Sequence, residues 1–345
     1  MRSSRRITIT SIAALAATIF AAGAQAEDVA DFYRGKTVGI LVGTSPGNDY
    51  DLRARLIGKY LAKTIPGQPT VVVRNMPGAG GITAANNLAQ LAPRDGTSLH
   101  ALMSNMMAAQ ALATPGVKFD TRDFAFIGNS TNAPNVMAAW HKSGITSFED
   151  MRTRKTIVGA PMGTAGAIYA ETMNALLGGK LNIVTGYPGG VEVNLAMERG
   201  EVEVRASNSW ASWKATSAEW IADKKINFIM QVGLQRHPDL KDVPLLLELA
   251  QTEEDRDILR FLSSETAIAR SMVLAPGAPA ERIEALRRAY DAVMVDPQFL
   301  ADADKAKMDV SGMKGEEAQK IADAIVNTKP ETLVRARAML GDLLK

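Results

Sequence analysis

Short apolar runs alternate with amphipathic stretches along most of the chain. After each of the first two runs, at residues 52–63 and 82–91, apolar residues recur with the spacing of an amphipathic helix. Strand, loop, helix and strand at this spacing predict parallel βαβ units in a buried sheet. The runs of the first half that we interpret as strands are TVGILV (37–42), TVVV (70–73), DGTSLHALM (95–103), RDFAFIGNS (122–130) and NVMAAWH (135–141).

A second series of the same kind starts with KTIVGAPMGTAG at residues 155–166. It continues through a helix at 168–178, a strand at 181–187, a helix at 191–200 and strands at 201–207 and 226–233. The last 70 residues have mainly helical periods, at 281–294, 297–306 and 315–326. We therefore predict an α/β clamshell of two lobes, each a mostly parallel sheet flanked by helices. The first lobe takes residues 27–137, the second 138–226 and the return to the first 227–295, while the helices of 296–345 are not assigned to a lobe.

The N-terminus has the pattern of an export signal. Arg2, Arg5 and Arg6 precede an apolar stretch at residues 12–22, and Ala24-Gln25-Ala26 closes it. This pattern predicts a signal peptide of residues 1–26, cleavage after Ala26 and a periplasmic protein. The apolar stretch is shorter than the ~20 residues of a membrane-spanning helix. A retained anchor is the alternative.

Composition narrows the class of partner. Removal of the leader lowers Lys+Arg from 39 to 36, against 37 Asp+Glu, and leaves no long run of like charge. Nucleic acid is therefore not an expected partner. The chain has no Cys, so packing alone must hold its folded state. His100, His141 and His237 lie far apart in the chain, and we predict neither a metal site nor a cofactor.

The loop after the first strand opens a helix and is a candidate anion site. A helix start offers unpaired N–H groups and partial positive charge. The alternative is an ordinary capped turn, because Pro, Gly, Asn and Asp are common turn residues. The candidate residues are Ser45, Pro46, Gly47, Asn48 and Asp49.

Two further glycine-rich loops follow strands in the same way. Asn75-Met76-Pro77-Gly78-Ala79-Gly80-Gly81 lacks the Lys-[Ser/Thr] ending of a Walker loop and the spacing of a dinucleotide fingerprint. Its glycines can serve a bound oxyanion or simply the packing of helix on sheet. In the second lobe, the amides and Thr hydroxyl of a helix start can hold the other end of a dicarboxylate. The candidates in these two loops are Asn75, Gly78, Ala79, Gly80, Met162, Gly163, Thr164, Ala165 and Gly166.

A polar and aromatic segment after the strand 201–207 adds the most individual candidates. Its residues should lie at the carboxyl end of the sheet, where open α/β sheets bind ligands. Arg205 can pair with a carboxylate, and Trp210 or Trp213 can cover a ring, which favours a bulkier or aromatic acid. The alternative is a surface Arg beside two Trp residues that pack the lobe. The candidates here are Tyr187, Arg205, Ser207, Asn208 and Trp210.

Six stretches together resemble the tripartite tricarboxylate transporter (TctC, or Bug-type) family of extracytoplasmic binding proteins. They are DFYRGKTVGILVG, PGNDYDLRARLIGKYL, IPGQPTVVVRNMPGAGGITAANNLAQLAPRDGTSL, GTAG, HPDLKDVPLLLELA and VLAPGAPAERIEALRRAYD, between Asp31 and Asp291. The resemblance implies a type II periplasmic-binding fold, no catalysis, and a carboxylate gripped between first-lobe loops and a Gly-rich helix start of the second lobe. It also implies the membrane permease subunits of a tripartite transporter as partners. We expect a monomer.

The chain departs from the common pattern of that family at three places. Asn48-Asp49 stands where many members have Gly-Gly, EVRASNSWASWK (203–214) is richer in Trp and carries an Arg, and Arg270 stands where an aromatic residue is frequent. The departures fall near the expected cleft, so they bear on the identity of the ligand rather than on the fold. Two other classes of function stay open: an accessory of a periplasmic sensor kinase, and an exported hydrolase, although the chain has no H-E-x-x-H motif.

Overall fold

The strands of the chain form two sheets, each of them mixed. The computed structural model describes residues 28–132, 134–161 and 164–341, so Met162, Gly163 and the predicted leader lie outside the described residues. The first sheet contains β1 (Thr37–Val42), β2 (Thr70–Asn75), β3 (Ser98–Met103), β4 (Ala125–Asn129), β10 (Arg270–Leu274) and β11 (Met313–Lys314). The second contains β5 (Asn135–Trp140), β6 (Thr156–Pro161), β7 (Leu181–Tyr187), β8 (Val204–Ser209) and β9 (Ile226–Val232).

Helices connect the strands and cover the sheets. The helices are α1 (Val29–Tyr33), α2 (Asp49–Thr64), α3 (Ile82–Gln90), α4 (Met106–Ala111), α5 (Phe148–Thr153), α6 (Ala165–Leu177), α7 (Gly190–Glu198), α8 (Trp210–Thr216), α9 (Ala218–Ala222), α10 (Glu253–Ser264), α11 (Ala280–Met294), α12 (Pro297–Lys305), α13 (Gly315–Val326) and α14 (Pro330–Leu340). Short 3-10 helices at Ala79–Gly81 and Glu265–Ile268 lie near the candidate site.

The first sheet has the strand order β11-β4-β10-β3-β1-β2. β1 pairs in parallel with β2 and β3, because α2 and α3 carry the chain back between them. β10 is antiparallel to both β3 and β4, so β1 to β4 all point in one direction. α2 buries Ile57 and Leu61, which lie four residues apart on the face turned to the sheet.

The second sheet has the order β7-β6-β8-β5-β9. β6 is parallel to β7 and β8, while β5 is antiparallel to β8 and β9. Four of its five strands thus point the same way, as four of six do in the first sheet. The prediction of an α/β protein with two helix-flanked sheets is confirmed, and the pairing in each sheet is mixed where mostly parallel sheets were predicted.

β10 is a strand that the sequence pattern did not predict, as is the two-residue β11. Its five residues, RSMVL, follow directly on a helical segment, and no turn residue separates them from it. Its partners are far away in sequence: Ser271 pairs with Leu102 and Asn129. Such distant pairing leaves no local signal, because the apolar run alone fits a buried helix as well as a strand.

Two connections carry the chain between the sheets. Residues 130–134 lead from β4 to β5, and the long segment 233–269 leads from β9 back to β10. β5 and β9 pair with each other along their length within the second sheet. The predicted lobe limits, at 137/138 and 226/227, fall inside these two strands. The strand pairing favours limits within the two connections, and the division into lobes stays a proposal.

The C-terminal helices join the two lobes. α13 packs on β4 and α4, whereas α14 packs on α6 and α10. One cluster of buried side chains accordingly runs from Phe126 in the first sheet to Val204 in the second and Leu333 in α14. In the described ranges, no helix has both the length and the apolar character needed to cross a membrane.

Candidate functional site

The carboxyl ends of β4 and β8 lie close together. β4 ends at Asn129, and β5 begins at Asn135, which pairs with Ser209 at the end of β8. Only residues 130–134 separate the two sheets here, and five residues span at most about 18 Å. The loops that follow the parallel strands of both lobes therefore face one another, in the position where open α/β sheets bind ligands.

The turn after β1 is held by side chains of its own segment. Ser45, Pro46 and Gly47 are exposed. Asn48 is the N-cap of α2, and its Oδ1 accepts hydrogen bonds from the N–H of Asp51 (3.1 Å) and the hydroxyl of Thr44 (3.0 Å). The carboxylate of Asp51 accepts the N–H of Gly47 (2.8 Å). Several donors of this helix start are thus engaged by the chain itself.

Asp49 lies between two arginines. Its Oδ2 accepts a hydrogen bond from Nε of Arg270 at 2.5 Å, and its Oδ1 accepts one from Nη2 of Arg53 at 3.4 Å. Burial by itself would raise the pKa of Asp49, but the charges of Arg270 and Arg53 outweigh it and lower the pKa to about 2. The three residues carry two positive charges and one negative charge, so the cluster has a net positive charge.

Tyr50 holds Arg270 in place at this edge. The guanidinium of Arg270 lies 4.0 Å from the centre of the Tyr50 ring and donates to its hydroxyl at 3.1 Å. The same hydroxyl donates to the carbonyl of Ala269 at 3.0 Å and accepts the N–H of Ser104 at 3.2 Å. The hydroxyl therefore joins the ends of β3 and β10 to the first turn of α2.

Arg53 and Tyr50 were not predicted as site residues. Arg53 is buried, and its Nη1 donates to the carbonyl of Asp309 at 2.9 Å. Its Nε is buried with no hydrogen-bond partner in the part of the chain that the structure describes. The spacing of Asp49 and Arg53, four residues apart on a helix, is the signal that indicates their pairing.

The loop after β2 is formed by residues with left-handed backbone angles. Gly78, Ala79, Gly80 and Gly81 have φ angles of 149°, 45°, 59° and 100°. This run bends the backbone sharply before α3, and it requires glycine at most of its positions because other L-residues rarely adopt these angles. Gly78 and Ala79 are exposed.

Asn75 ties the two loops of the first lobe together. Its Nδ2 donates to the carbonyl of Thr44 (3.0 Å) and to Oδ1 of Asp51 (2.9 Å), and its Oδ1 accepts from Nη2 of Arg55 (3.0 Å). Its amide is thus fully engaged in positioning the loop after β1, which faces the second lobe.

The start of α6 is an open helix terminus of the second lobe. Thr164 is its N-cap, makes no side-chain bond to the helix and donates its hydroxyl to the carbonyl of Pro161 at 2.9 Å. Ala165 is partly exposed, and a Cβ on Gly166 would lie 3.3 Å from the Cβ atoms of Ala206 and Ser207. The glycine thus lets the helix start approach the end of β8, and the first amides of α6 have no side-chain cap.

The end of β8 brings three predicted residues together. Arg205 and Asn208 are buried, Ser207 is partly exposed, and Nε of Arg205 donates to the carbonyl of Ser207 at 3.2 Å. Burial lowers the pKa of Arg205 to about 10. Tyr187, at the end of β7, is partly buried against the apolar cluster on the same side of the sheet.

The two Trp residues of α8 pack within the second lobe. Trp213 is fully buried and donates its Nε1 to the carbonyl of Val136 at 3.2 Å. Trp210 is 6% exposed, donates its Nε1 to Asp239 at 2.8 Å and meets Phe228 edge to face. These contacts favour the alternative interpretation, in which both residues pack the lobe. The role of Trp210 in binding stays a prediction.

A buried carboxyl joins the two lobes behind this edge. Glu265, in the 3-10 helix before β10, accepts a hydrogen bond of 2.7 Å from the hydroxyl of Tyr169 in α6. Nδ2 of Asn135 donates to the same hydroxyl at 3.3 Å. Burial raises the pKa of Glu265 to about 7. Neither Tyr169 nor Glu265 was predicted, because each lies within an ordinary helical pattern.

Comparisons with known proteins found a family model and a curated relative that match the sequence. The model of the Tripartite tricarboxylate transporter family receptor matches residues 54–339. A UPF0065 protein from the TAR-I ttuE-ttuC' intergenic region of Agrobacterium vitis is 31% identical over 178 residues, which are 49% of each chain. The chain thus spans about half the length of the curated relative it matches.

Solved structures of similar proteins share the fold. A Rhodopseudomonas palustris protein with adipate has a TM-score of 0.66 at 18% identity, covering 89% of this chain and 97% of that one. MatC from Rhodopseudomonas palustris, with bound malate, has a TM-score of 0.62 at 19% identity, with 90% and 99% covered. A TctC solute binding protein from Polaromonas has a TM-score of 0.63 at 17% identity, with 90% and 99% covered.

Proposed function

Because this chain belongs to the tripartite tricarboxylate transporter receptor family, we propose that it is an extracytoplasmic solute-binding receptor. It holds a small carboxylate between its two lobes and delivers it to the membrane subunits of a tripartite transporter. The family and the fold are those of substrate-binding proteins, and we propose that the chain has no enzymatic activity. It acts as a monomer in the periplasm, after cleavage behind Ala26.

The observation that carries this proposal is the charge at the edge of the first lobe. Arg53 and Arg270 share the single carboxylate of Asp49, so one positive charge at this edge is not balanced within the cluster. Across from it, the start of α6 offers amides with no side-chain cap. An anion with a carboxylate at each end is complementary to both features.

The expected strength of binding is compatible with a few such contacts. A hydrogen bond to a charged group contributes about 1.5–3 kcal/mol net. Micromolar affinity corresponds to about 8 kcal/mol. Four or five bonds to carboxylate oxygens therefore suffice after the costs of ordering the ligand.

We propose an aliphatic dicarboxylate as the preferred class of ligand. Two proteins of similar fold were solved with adipate and with malate, both of which carry two carboxylates. The sequence pattern of Trp210 and Trp213 favoured an aromatic acid as the ligand. In the structure, both side chains pack within the second lobe. An aromatic ring would therefore find no free aromatic partner in α8.

A calorimetric and thermal-shift screen tests the proposal. The mature chain is titrated with malate, succinate, adipate, citrate and benzoate. We expect micromolar binding of at least one aliphatic di- or tricarboxylate, and an increase in stability of about 2.7 kcal/mol at a hundredfold excess over Kd. The absence of binding for every acid in this screen would contradict the carboxylate receptor function.

A further inference from the structure

Arg205 is a buried cation with no acidic partner among the described residues. It is 7% exposed, its Nη1 donates to the neutral amide of Asn194 at 2.8 Å, and its Nε donates to the carbonyl of Ser207. The ring of Trp213 lies 5.1 Å from its Cζ and covers one face of the guanidinium. Nη2 has no described hydrogen bond. A buried charge without a counter-charge is costly unless it serves a bound ion.

The free end of Arg205 lies against the start of α7. A Cβ on Gly190 would lie 2.1 Å from Nη2 of Arg205, so a side chain at this position would displace the guanidinium. Gly189 is the N-cap of this nine-residue helix, and it provides no side-chain cap. The unpaired amides of the helix start and the guanidinium therefore concentrate positive potential at one place.

Asn208 adds a third donor on the same face of the sheet. In the pairing of β8 with β5, Asn208 lies opposite Val136 and Arg205 lies opposite Ala138. Val136 and Ala138 both belong to the apolar cluster that α7 and α8 cover. Asn208 is 8% exposed, and its Nδ2 is buried with no hydrogen-bond partner in the described part of the chain. An unmade bond of this kind is unfavourable in the absence of an acceptor.

We propose that Arg205, Asn208 and the start of α7 bind one carboxylate of the ligand. The subsite selects acids with two carboxylates over acids of the same length with one. This inference rests on the proposed receptor function, and it adds Arg205 and the start of α7 to the start of α6 as donors for the second-lobe end of the ligand. Arg205 is a residue at which the chain departs from the pattern of its family.

The surroundings of the subsite fit this use. Its donors are a guanidinium edge, an amide Nδ2 and the backbone N–H groups of a helix start. The carboxylate of Glu192 lies beside them, with its Oε2 3.1 Å from the Cβ position of Gly189. Gly189 and Gly190 are partly exposed, so solvent reaches the helix start. The nearby Glu192, in the first turn of α7, is exposed and has no described ion pair with Arg205.

The first experiment compares adipate with hexanoate, which lacks one carboxylate at equal length. We expect Arg205→Gln to weaken adipate binding by about 10- to 100-fold and to leave hexanoate binding unchanged. Arg199→Gln, at the exposed end of α7, is the matched control and should bind both acids as the wild type does. An equal loss for both acids, or none for adipate, would overturn the subsite.

The second experiment places a carboxylate in the subsite itself. Asn208→Asp keeps the side-chain shape and gives Arg205 an acidic partner. We expect a higher melting temperature without ligand and weaker adipate binding. A lower melting temperature with unchanged adipate affinity would contradict the proposal, and this test does not depend on the folding of the Arg205 variant.

The two experiments separate the inference from the function beneath it. If the wild type binds none of the carboxylates, the receptor proposal and the subsite fail together. If the wild type binds adipate and Arg205→Gln binds it equally well, only the subsite fails. Inorganic phosphate is a further probe: stabilisation by phosphate that is lost in Arg205→Gln, without competition against adipate, would assign the positive site to a separate anion and overturn the proposal.

Discussion

The guanidinium of Arg270 lies 2.5 Å from the carboxylate of Asp49, although 221 positions separate the two residues in the chain. At both positions the sequence departs from the pattern of the family that it resembles. The structure shows that the two departures meet at the edge of the first sheet. A carboxylate that would repel an anionic ligand is thereby neutralised, and Arg53 adds the excess positive charge.

A double-mutant cycle measures the coupling of this pair. We expect Asp49→Leu and Arg270→Met each to lower the free energy of unfolding by about 2–4 kcal/mol. Asp49→Leu removes the acidic partner of both arginines, and Arg270→Met leaves Asp49 with only the longer pair to Arg53. The double variant should be less destabilised than the sum of the two. Urea denaturation of the four proteins provides the coupling energy.

The exposed pair of Arg34 and Asp31 is the control for that cycle. Both side chains are more than half exposed, and the coupling there should be below about 1 kcal/mol. Equal coupling at the two sites would show that the burial of the Arg270–Asp49 pair has no energetic consequence.

Glu265 makes the stability of the protein depend on pH near neutrality. Its pKa is about 7 in the folded chain, against 4.5 for the free group. The folded state therefore binds the proton of Glu265 more tightly than the unfolded state does. The stabilisation that this protonation provides is complete below pH 4.5 and is lost as the pH rises through 7. The loss is of order 3 kcal/mol.

The variant Glu265→Gln isolates this effect. Gln mimics the protonated carboxyl, so the variant should match the wild type near pH 4.5 and be more stable at pH 8. Denaturation curves across this range give the difference, and Glu149→Gln, at an exposed position of α5, should show a flat difference below about 0.5 kcal/mol. A difference for Glu265→Gln that does not change with pH would contradict the raised pKa.

Thr164→Asp tests the start of α6 as an anion site. The new carboxylate should occupy the uncapped amides and repel a ligand, which we expect to reduce carboxylate affinity by at least about 100-fold. Asp is a good N-cap, so the fold should be retained. Ser147→Asp makes the same change at the N-cap of α5 and should leave affinity unchanged; unaltered binding to the Thr164 variant would remove this helix start from the site.

Export is tested by the mass of the mature chain. The basic residues, apolar stretch and Ala24-Gln25-Ala26 at the N-terminus predict cleavage after Ala26. Intact-mass measurement of the periplasmic protein should give a chain that begins at Glu27. A full-length product retained in the membrane fraction would contradict the proposed location.

Local pattern was sufficient for the order of most strands and helices. Runs such as TVGILV and the helical period after them are properties of neighbouring residues, and the loops between them follow directly. Candidate residues at strand ends could be chosen for the same reason, because the carboxyl ends of parallel strands meet at one edge of a sheet. The sequence by itself thus determined the α/β class and the loops that face the second lobe.

Tertiary structure decided which side chains meet. The insertion of β10 between β3 and β4, the pair of Arg270 and Asp49, and the bond of Tyr169 to Glu265 all join residues far apart in the chain. The burial of Trp210 and Trp213 was decided in the same way. Burial and pairing depend on how separate elements pack, and packing depends on the whole set of contacts rather than on any single segment.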